Sequence, residues 1–324
     1  MVSDTVLVKT SLVKAAYAHK DYAASLFEFG KPRQLTRSGG WILERSIPGS
    51  SSKDAMGCYP LFSCEDWTGL REDLESIGGD DVIALSLVAD PFGDYTASYL
   101  KECFNAKVMP FKEHFVIDLT CSMNDYVSSH HRRYARKGLR ELQIERSSTP
   151  VGWAGDWGRL YGHLIARHGI RGISAFSPSA FARQLCVPGV HAFCASSQSS
   201  VVGMVLWYVR DDVAYYHLGA YDPVGYQMRA SFPLFWTAIE YFAGAGLQWL
   251  NLGAGAGLSD GDQDGLSDFK RGWATGTRTA YFCGHIFDHG RYGELVHSKN
   301  PGPTEYFPAY RKGEFSSSAD QSRG

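Results

Sequence analysis

The segment VAYYHLGAYDP, residues 213–223, opens the stretch of sequence that decides the fold. After it come the apolar segment SFPLFWTAIEYFAGAG (231–246), then LQWLNLG (247–253), the glycine-rich AGAGLSDGDQDG (254–265) and LSDFKRGW (266–273). These patterns predict a strand, a buried helix over 231–243, a strand over 247–252, a loop, and a further strand up to Cys283. Because glycine has no Cβ, such a loop can approach a ligand closely. We therefore expect a functional site beside this loop.

Upstream of this stretch the element types continue to alternate. A charged helix is predicted between Ser122 and Arg146, helices over 156–169 and 177–189, and a hairpin with strands at 191–196 and 200–209. Strands are also predicted for WILERSIP (41–48), GCYPLF (57–62), DDVIALSLVADP (80–91) and HFVIDL (114–119), and helices for 65–77 and 95–104. Mixed elements of this kind predict an α/β or α+β fold, with central sheets flanked by helices.

The order of elements divides the chain of 324 residues into two halves of similar size. We predict an N-terminal half at 1–120 and a C-terminal half at 121–295. After Phe287 the pattern dissolves into Gly, Pro, Ser and charged residues. Residues 296–324 are therefore predicted to form a flexible tail.

Composition limits the classes of function. With 44% hydrophobic and 20% charged residues and a net charge of −2, the chain reads as an ordinary globular protein, and any phosphate-binding surface must be local. Its seven cysteines form no C-x-x-C pair, which predicts reduced thiols. The N-terminus lacks a signal-peptide core and no run is apolar enough for a membrane span, so a cytoplasmic location is expected.

Several segments together resemble a known family of transferases. SSHHRRYARKGL (128–139), the hairpin, AYDP (220–223), the apolar helix, LNLGAGAG (250–257) and DFKRGW (268–273) are similar to acyltransferases of the GNAT superfamily. More narrowly they resemble its Fem-like branch, which includes non-ribosomal peptidyltransferases and CelD/BioF2-like domains. The resemblance is clearest over residues 121–287. It implies two GNAT-like halves, each with a mixed, mostly antiparallel sheet, and acyl transfer to an amine.

One departure from the family pattern bears on the donor. GNAT domains bind the coenzyme A pyrophosphate at a glycine-containing turn that begins a helix, where backbone N–H groups are free. The equivalent segment here, 225–231, keeps Gln227 and Arg229 but lacks the glycines that should follow. Fem-like enzymes also lack this turn. The resemblance therefore favours aminoacyl-tRNA as co-substrate over acyl-CoA, with no bound cofactor.

The resemblance also suggests catalytic residues. Lys270 matches a basic position near the reacting centre, where a fixed cation can stabilise the tetrahedral oxyanion. Its flanking residues Phe269 and Trp273 would exclude water, and a solvated surface helix is the alternative interpretation. His217, on the predicted strand, is a candidate general base, with a core histidine as the alternative. Period-two alternation places His217 on one face with Tyr215 and Gly219. The predicted substrate-binding residues are Tyr215, Tyr216, Tyr221, Asp222, Asn251, Arg271 and Trp273.

A second set of residues predicts phosphate binding. On the charged helix, Arg132, Arg136 and Arg140 share one stripe, and Arg133 and Lys137 share an adjacent one. Together with Gln227 and Arg229 they form the predicted donor site, for the phosphates of tRNA or of a nucleotide. The alternative is a solvated charged face, since Glu141 and Glu145 dilute the charge.

No metal site is predicted. Asp260–Gly265 copies the start of an EF-hand loop, but the twelfth position is Arg271 rather than a bidentate glutamate.

The sequence thus predicts an acyltransferase that forms an amide on a small soluble amine, from aminoacyl-tRNA. An acyl-CoA N-acyltransferase and a non-catalytic binding module with the same fold remain alternatives. The oligomeric state, the acyl group and the acceptor are left open.

Overall fold

The computed structural model describes residues 16–77, 81–147, 149–170, 172–255 and 265–314. The strands in this part of the chain are β1 (Lys31–Gln34), β2 (Trp41–Ser46), β3 (Lys53–Gly57), β4 (Val82–Ala89), β5 (Lys107–Asp118), β6 (Gln143–Arg146), β7 (Val190–Ser197), β8 (Ser200–Arg210), β9 (Val213–Tyr221), β10 (Trp249–Gly253) and β11 (Gly276–Ile286). The helices are α1 (Lys20–Ser25), α2 (Leu70–Ile77), α3 (Ala97–Cys103), α4 (Met123–Tyr126), α5 (Ser129–Glu141), α6 (Ala154–His168), α7 (Pro178–Gln184), α8 (Pro223–Gln227), α9 (Ser231–Gly244), α10 (Gly265–Arg271) and α11 (His289–Lys299).

The described residues fall into two compact units that interleave along the sequence. Unit 1 includes His114–Leu164 and Cys186–Thr277, and unit 2 includes Tyr17–Glu113, Ile165–Leu185 and the chain from Arg278 onward. Strand β5 is thus divided between the units after Glu113. The contiguous domains 1–120 and 121–295 remain a prediction from the sequence.

Unit 1 is built on a sheet with the strand order β5-β10-β9-β8-β7-β6. Strands β10 and β9 are parallel, and the other neighbours in this unit are antiparallel. Helices α5 and α9 cover one face, and Trp207, Phe235, Phe242 and Trp273 are fully buried there. The predicted fold class, a mixed and mostly antiparallel sheet flanked by helices, is confirmed.

A β-bulge in β9 changes which side chains share a face. Leu206 of β8 lies opposite Leu218, but the next residue, Trp207, lies opposite Tyr216. His217 is therefore an extra residue in β9, and such an insertion shifts the alternation of side chains. As a result Gly219 lies on the same face as Tyr216, towards α9. The prediction that Gly219 shares a face with Tyr215 and His217 was wrong, because it assumed an unbroken strand, whereas Tyr215 and His217 do lie on one face, towards Tyr208.

The parallel strands β9 and β10 pair over a short distance. Trp249–Asn251 lies opposite Val213–Tyr215, and among the described residues this pairing ends there, while β9 runs on to Tyr221. Beyond the last pair, Gly253 is paired with Phe115 of β5. We call the space between Tyr216–Tyr221 of β9 and Leu252–Gly253 of β10 the wedge. In this space side chains and backbone of both strands can face a ligand.

Unit 2 contains strands β1 to β4 and β11, in the order β1-β2-β3-β4-β11. Its core packs Leu70 and Leu74 of α2, Leu85 of β4 and Leu100 of α3. Two predictions failed in this unit. GCYPLF (57–62) was predicted as a strand, but β3 is KDAMG (53–57), and the chain bends away before Pro60. No helix was predicted after Phe287, and a flexible tail was predicted from residue 296, but α11 runs from His289 to Lys299 and is capped by the side chain of Asp288.

Part of the predicted tail is packed against unit 2. Tyr310 and Arg311 are buried, and the Arg311 guanidinium donates to the buried carboxylate of Asp54. Residues 315–324 lie outside the described residues. None of the helices in the described ranges is both long and apolar enough to cross a membrane.

Candidate functional site

Lys270 lies at the end of β10, beside the wedge. Helix α10 carries it, and its side chain is almost fully buried at 5% exposure. The Nζ atom donates to the carbonyl oxygen of Ala254 at 2.5 Å and lies 5.7 Å from the centre of the Tyr216 ring. Burying an ammonium group is costly unless polar groups hold it. The contact with Ala254 therefore stabilises the cation and fixes the backbone where the glycine-rich loop begins.

Asn251 and His114 hold the same segment of β10 by different contacts. The Oδ1 atom of Asn251 accepts a hydrogen bond from the backbone N–H of Gly253 at 2.8 Å and lies 3.1 Å from His114 Nδ1. Because Oδ1 can only accept, His114 Nδ1 must carry the hydrogen, which leaves Nε2 as the unprotonated ring nitrogen of the neutral side chain. The sequence prediction included Asn251 but missed His114. Its only signal was a histidine at the start of the HFVIDL strand.

Tyr216 and Tyr221 lie on the same face of β9, where Tyr216 packs against Phe235 and Tyr221 against Tyr226. A Cβ at Gly219 would lie 2.2 Å from the Tyr216 hydroxyl and 3.1 Å from the Tyr221 hydroxyl, so glycine leaves room for both phenol groups. Burial is the main cause that raises the pKa of both Tyr216 and Tyr221, and the nearby Tyr226 phenol raises both as well. Both hydroxyls are protonated at neutral pH and can donate hydrogen bonds.

His217 lies on the other side of β9 from Lys270. Its ring packs edge-on against Tyr208 at 5.0 Å, and Tyr208 is the register partner of Tyr215. In contrast, Tyr216, which Lys270 approaches, packs against Phe235 of α9. The two predicted catalytic residues are thus not brought together on one face. Burial lowers the pKa of His217 to about 3, so its imidazole is neutral at pH 7 and binds a proton weakly.

The motif DFKRGW is packed against helix α5. Trp273 is fully buried and stacks on Phe235 at 6.0 Å, and its ring lies 4.9 Å from that of His131. The His131 ring is fixed by Ser128 Oγ at 2.7 Å from Nδ1 and by the Phe269 carbonyl at 2.9 Å from Nε2. Trp273 therefore packs in the core directly after α10, and its predicted role in substrate binding stays a prediction.

Two other predicted substrate-binding residues have structural partners. Arg271 is exposed and pairs with Asp268 one turn earlier in α10, and its guanidinium lies 5.8 Å from the Phe115 ring. Asp222 caps α8 by accepting from the Gly225 N–H at 2.8 Å. The binding roles of both residues stay predictions.

The predicted phosphate-binding residues separate into two groups. Four of them line one cavity of about 470 Å³ together with Tyr134, Gly138, Glu141 and Met228, namely Arg133, Lys137, Gln227 and Arg229. We call this the basic cavity. The other three lie elsewhere on α5: Arg132 donates to the carbonyl of Asn124, and Arg136 and Arg140 are exposed.

The basic cavity is positively charged and partly preformed. The Arg229 guanidinium lies 3.8 Å from the centre of the Tyr134 ring, and that of Arg133 lies 5.7 Å from it. Three cationic side chains line the cavity against one carboxylate, Glu141, whose Oε1 lies 3.7 Å from Lys137 Nζ. Arg229 precedes α9, whose first turn has no side-chain cap. Three cations beside one carboxylate favour an anionic ligand, and the N-terminal end of the α9 dipole has the same sign.

Within the described ranges, no group of three or more His, Cys, Asp or Glu side chains is placed to hold a metal ion. The EF-hand-like segment extends through residues 260–264, which lie outside the described residues.

Comparison with known proteins identifies a matching domain and similar folds. Residues 128–271 match the family model described as "Acetyltransferase (GNAT) domain". No curated protein matches the chain. Several solved structures share its fold at low sequence identity.

Three of these structures cover most of the chain. FemX is 14% identical, with 85% of this chain and 93% of that one covered and a TM-score of 0.62. The C-terminal domain of a protein assigned as a lysylphosphatidylglycerol synthetase from Agrobacterium fabrum is 16% identical, with 85% and 90% covered and a TM-score of 0.61. L-PGS from Bacillus licheniformis is 13% identical, with 86% and 94% covered and a TM-score of 0.54.

Over residues 128–271 the chain matches a GNAT acetyltransferase domain, so the predicted resemblance to this superfamily is confirmed there. The three solved structures share the fold of the chain. The donor, the acceptor and the residues that act on them are not defined by these matches.

Proposed function

We propose that the protein transfers an aminoacyl group from aminoacyl-tRNA to the amine of a small soluble acceptor. One observation carries the proposal: Arg133, Lys137, Gln227 and Arg229, which come from two separate segments, converge on one cavity. In the proposal this cavity holds phosphates of the donor. Cationic side chains would there replace the glycine turn with which other GNAT domains bind coenzyme A.

The reaction would take place in the wedge. The acceptor amine attacks the ester carbonyl, a C–N bond forms, and the carbonyl oxygen gains negative charge. The Lys270 ammonium and the Tyr216 hydroxyl are the donors proposed to stabilise that oxygen. Collapse then breaks the ester C–O bond, and the ribose hydroxyl of the tRNA leaves with a proton.

Removal of the amine proton is assigned to water or to the substrate itself. His217 was the predicted general base, but burial lowers its pKa to about 3. A group with so low a pKa is a poor proton acceptor near pH 7. If His217 nevertheless acts as the base, its protonation should not lower the transfer rate between pH 8 and pH 5, because its pKa of about 3 lies below that range.

The donor is tested with two labelled pools, charged total tRNA and a panel of acyl-CoA thioesters, each offered with a mixture of small amines. RNase-sensitive transfer from the tRNA pool is the expected result. Transfer from a thioester would instead establish the acyl-CoA N-acyltransferase. Binding of either donor without turnover would favour the non-catalytic binding module. A cytoplasmic location belongs to the proposal, because charged tRNA is found there.

The basic cavity offers a matched pair of variants on one helix. Arg133→Gln with Lys137→Gln removes two cations that line the cavity, and Arg136→Gln with Arg140→Gln removes two that do not. We expect the first pair to raise the KM for the donor about tenfold or more and to reduce its salt dependence, and the second to do neither. Equal effects of the two pairs would contradict a donor site in this cavity.

Lys270 is tested separately. Loss of an oxyanion donor lowers kcat by about 10²–10³-fold. We expect Lys270→Met to show such a loss with an unchanged KM for the donor. Full turnover by a folded Lys270→Met protein would contradict the catalytic role of Lys270. The residue would then have only a structural role, through its contact with Ala254.

A further inference from the structure

A second cavity in unit 1 lies at the start of α8, and its chemistry differs from that of the basic cavity. Its volume is about 670 Å³, within the range of small-molecule sites. The lining includes the turn between β7 and β8, Ser196–Ser200, together with Trp153, Asp156, Arg159 and Asp222. We call it the serine cavity. None of these residues has a role in the proposed acyl transfer except Asp222, whose predicted role is untested.

The charges of the serine cavity nearly cancel. Arg159 Nη1 lies 3.4 Å from Asp222 Oδ2, and its Nη2 lies 3.3 Å from Asp156 Oδ1 and donates to the Val201 carbonyl at 2.5 Å. One guanidinium is thus shared by two carboxylates, and the three side chains sum to a formal charge of −1. A phosphate would meet two carboxylates and an arginine that is already paired. The cavity therefore disfavours the anions that the basic cavity favours.

The turn adds several neutral hydrogen-bonding groups. Four of its five residues are serines, and the fifth is Gln198. Gln198 and Ser199 both have positive φ, 48° and 66°, in the left-handed region where Gly and Asn are preferred at hairpin turns. Such a conformation costs about 1–2 kcal/mol for a residue with a Cβ. Side chains that donate and accept hydrogen bonds thus occupy strained positions at the rim of the cavity.

Trp153 supplies an apolar surface beside these polar groups. Its indole is half-buried, so part of the ring is accessible from the cavity. A flat aromatic face next to hydroxyl, amide and carboxylate groups matches a ring that has C–H bonds on its faces and hydroxyls on its edge. We propose that the serine cavity binds a saccharide.

The serine cavity shares no lining residue with the wedge, although Asp222 directly follows Tyr221, the last wedge residue of β9. The proposal therefore goes beyond the proposed acyl transfer and is tested by a readout that needs no turnover.

The test uses the full chain labelled with 5-fluorotryptophan and observed by ¹⁹F NMR. Trp153→Phe identifies the resonance of Trp153 among those of the eight tryptophans. The probes are N-acetylglucosamine, glucosamine and maltose, with inorganic phosphate as the anionic comparison. We expect at least one sugar, and not phosphate, to shift the Trp153 resonance saturably.

A double variant tests the role of the turn. Ser199→Ala with Ser200→Ala should weaken sugar binding about 3- to 10-fold, as expected for the loss of two hydrogen bonds, while the exposed Ser98→Ala should not. Unchanged resonances of the other tryptophans would show that the variants are folded. No shift by any sugar at about 50 mM, far above a Kd of ~1 mM, would overturn the proposal, as would an equal shift by phosphate. Unchanged sugar affinity in the double variant would also overturn it.

Discussion

At the scale of single residues, Gly272 shows how the DFKRGW motif is held in place. A Cβ at this position would lie 2.1 Å from Cε1 of His131. The His131 ring cannot move aside easily, because Ser128 and the Phe269 carbonyl hold both of its nitrogens. We predict that Gly272→Ala lowers the free energy of unfolding by about 1–3 kcal/mol, as overpacking does. Denaturant unfolding measures this change.

The matched control for that prediction is Gly155 in α6. A Cβ there would meet nothing within 4 Å. Gly155→Ala should therefore stabilise the protein by roughly 0.5–1 kcal/mol through helix propensity alone. If both alanine variants were stabilising, the close contact between Gly272 and His131 would be excluded.

A second prediction at this scale concerns acid stability. His191 is buried between Tyr241 and Phe242, and burial, followed by the charge of Arg146, lowers its pKa to about 4. As the pH falls from about 6.5 through 4, the unfolded chain takes up a proton here and the native state does not. Stability is therefore present above pH 6.5 and is lost on acidification, by an amount on the order of 3 kcal/mol.

The variant His191→Phe keeps an aromatic ring and removes the titrating group. Its unfolding free energy should fall less steeply between pH 6.5 and pH 4 than that of the unchanged protein. His168→Gln, at an exposed position, should leave the slope unchanged. A steep slope retained in His191→Phe would assign the acid sensitivity to other groups.

The sequence predicted individual site residues unevenly, for a physical reason. Lys270 and the basic residues of α5 stood out because charged residues form recognisable local patterns. His114 did not, although its partner Asn251 was predicted, because the two residues are 137 positions apart and meet only through strand pairing. Which basic residues of α5 line the basic cavity likewise depends on where residues 227–229 pack. The sequence alone therefore did not distinguish Arg133 and Lys137 from the other basic residues of the helix.

At the scale of elements, the bulge in β9 is the feature that the sequence could not predict. Alternation predicted the strand itself, but an extra residue is recognisable only from the pairing with β8. A bulge bends its strand and increases its twist. Here it follows directly after Tyr215, the last residue of β9 that pairs with β10. We infer that the bulge keeps the wedge open.

Deleting His217 and replacing its side chain should therefore have different effects. The deletion restores a regular ladder with β8, so β9 can continue alongside β10 and close the wedge. We predict a folded protein with at least about 100-fold lower transferase activity, since small misplacements cost that much. His217→Ala keeps the bulge and should stay within about tenfold of full activity if water or substrate removes the proton. A deletion variant with full activity would contradict the role of the bulge.

At the scale of the whole molecule, residues 300–314 are an integral part of unit 2. Arg311 Nε and Nη2 both donate to Asp54, at 2.5 and 2.8 Å, and Nη2 also donates to the Ser46 carbonyl at 2.9 Å. The Tyr310 hydroxyl donates to the same carboxylate at 3.1 Å. The sequence indicated a flexible segment because Gly, Pro and Ser are frequent there. A few buried contacts far away in the sequence outweigh that composition.

The last prediction follows from this buried ion pair. Arg311→Met leaves the fully buried carboxylate of Asp54 with Arg45 and Tyr310 as its remaining partners. Breaking a buried pair on one side costs about 3–5 kcal/mol, so we expect a loss of about 3 kcal/mol in unfolding free energy. Lys312→Met, at the next and exposed position, should change it by less than about 0.5 kcal/mol. Adding Asp54→Asn to Arg311→Met should restore part of the loss, because the buried carboxylate that has lost one of its two cationic partners is then replaced by a neutral amide. Additive losses in the double-mutant cycle of Asp54 and Arg311 would show that these two residues act independently. Packing around Tyr310 would then be what holds residues 300–314 in place.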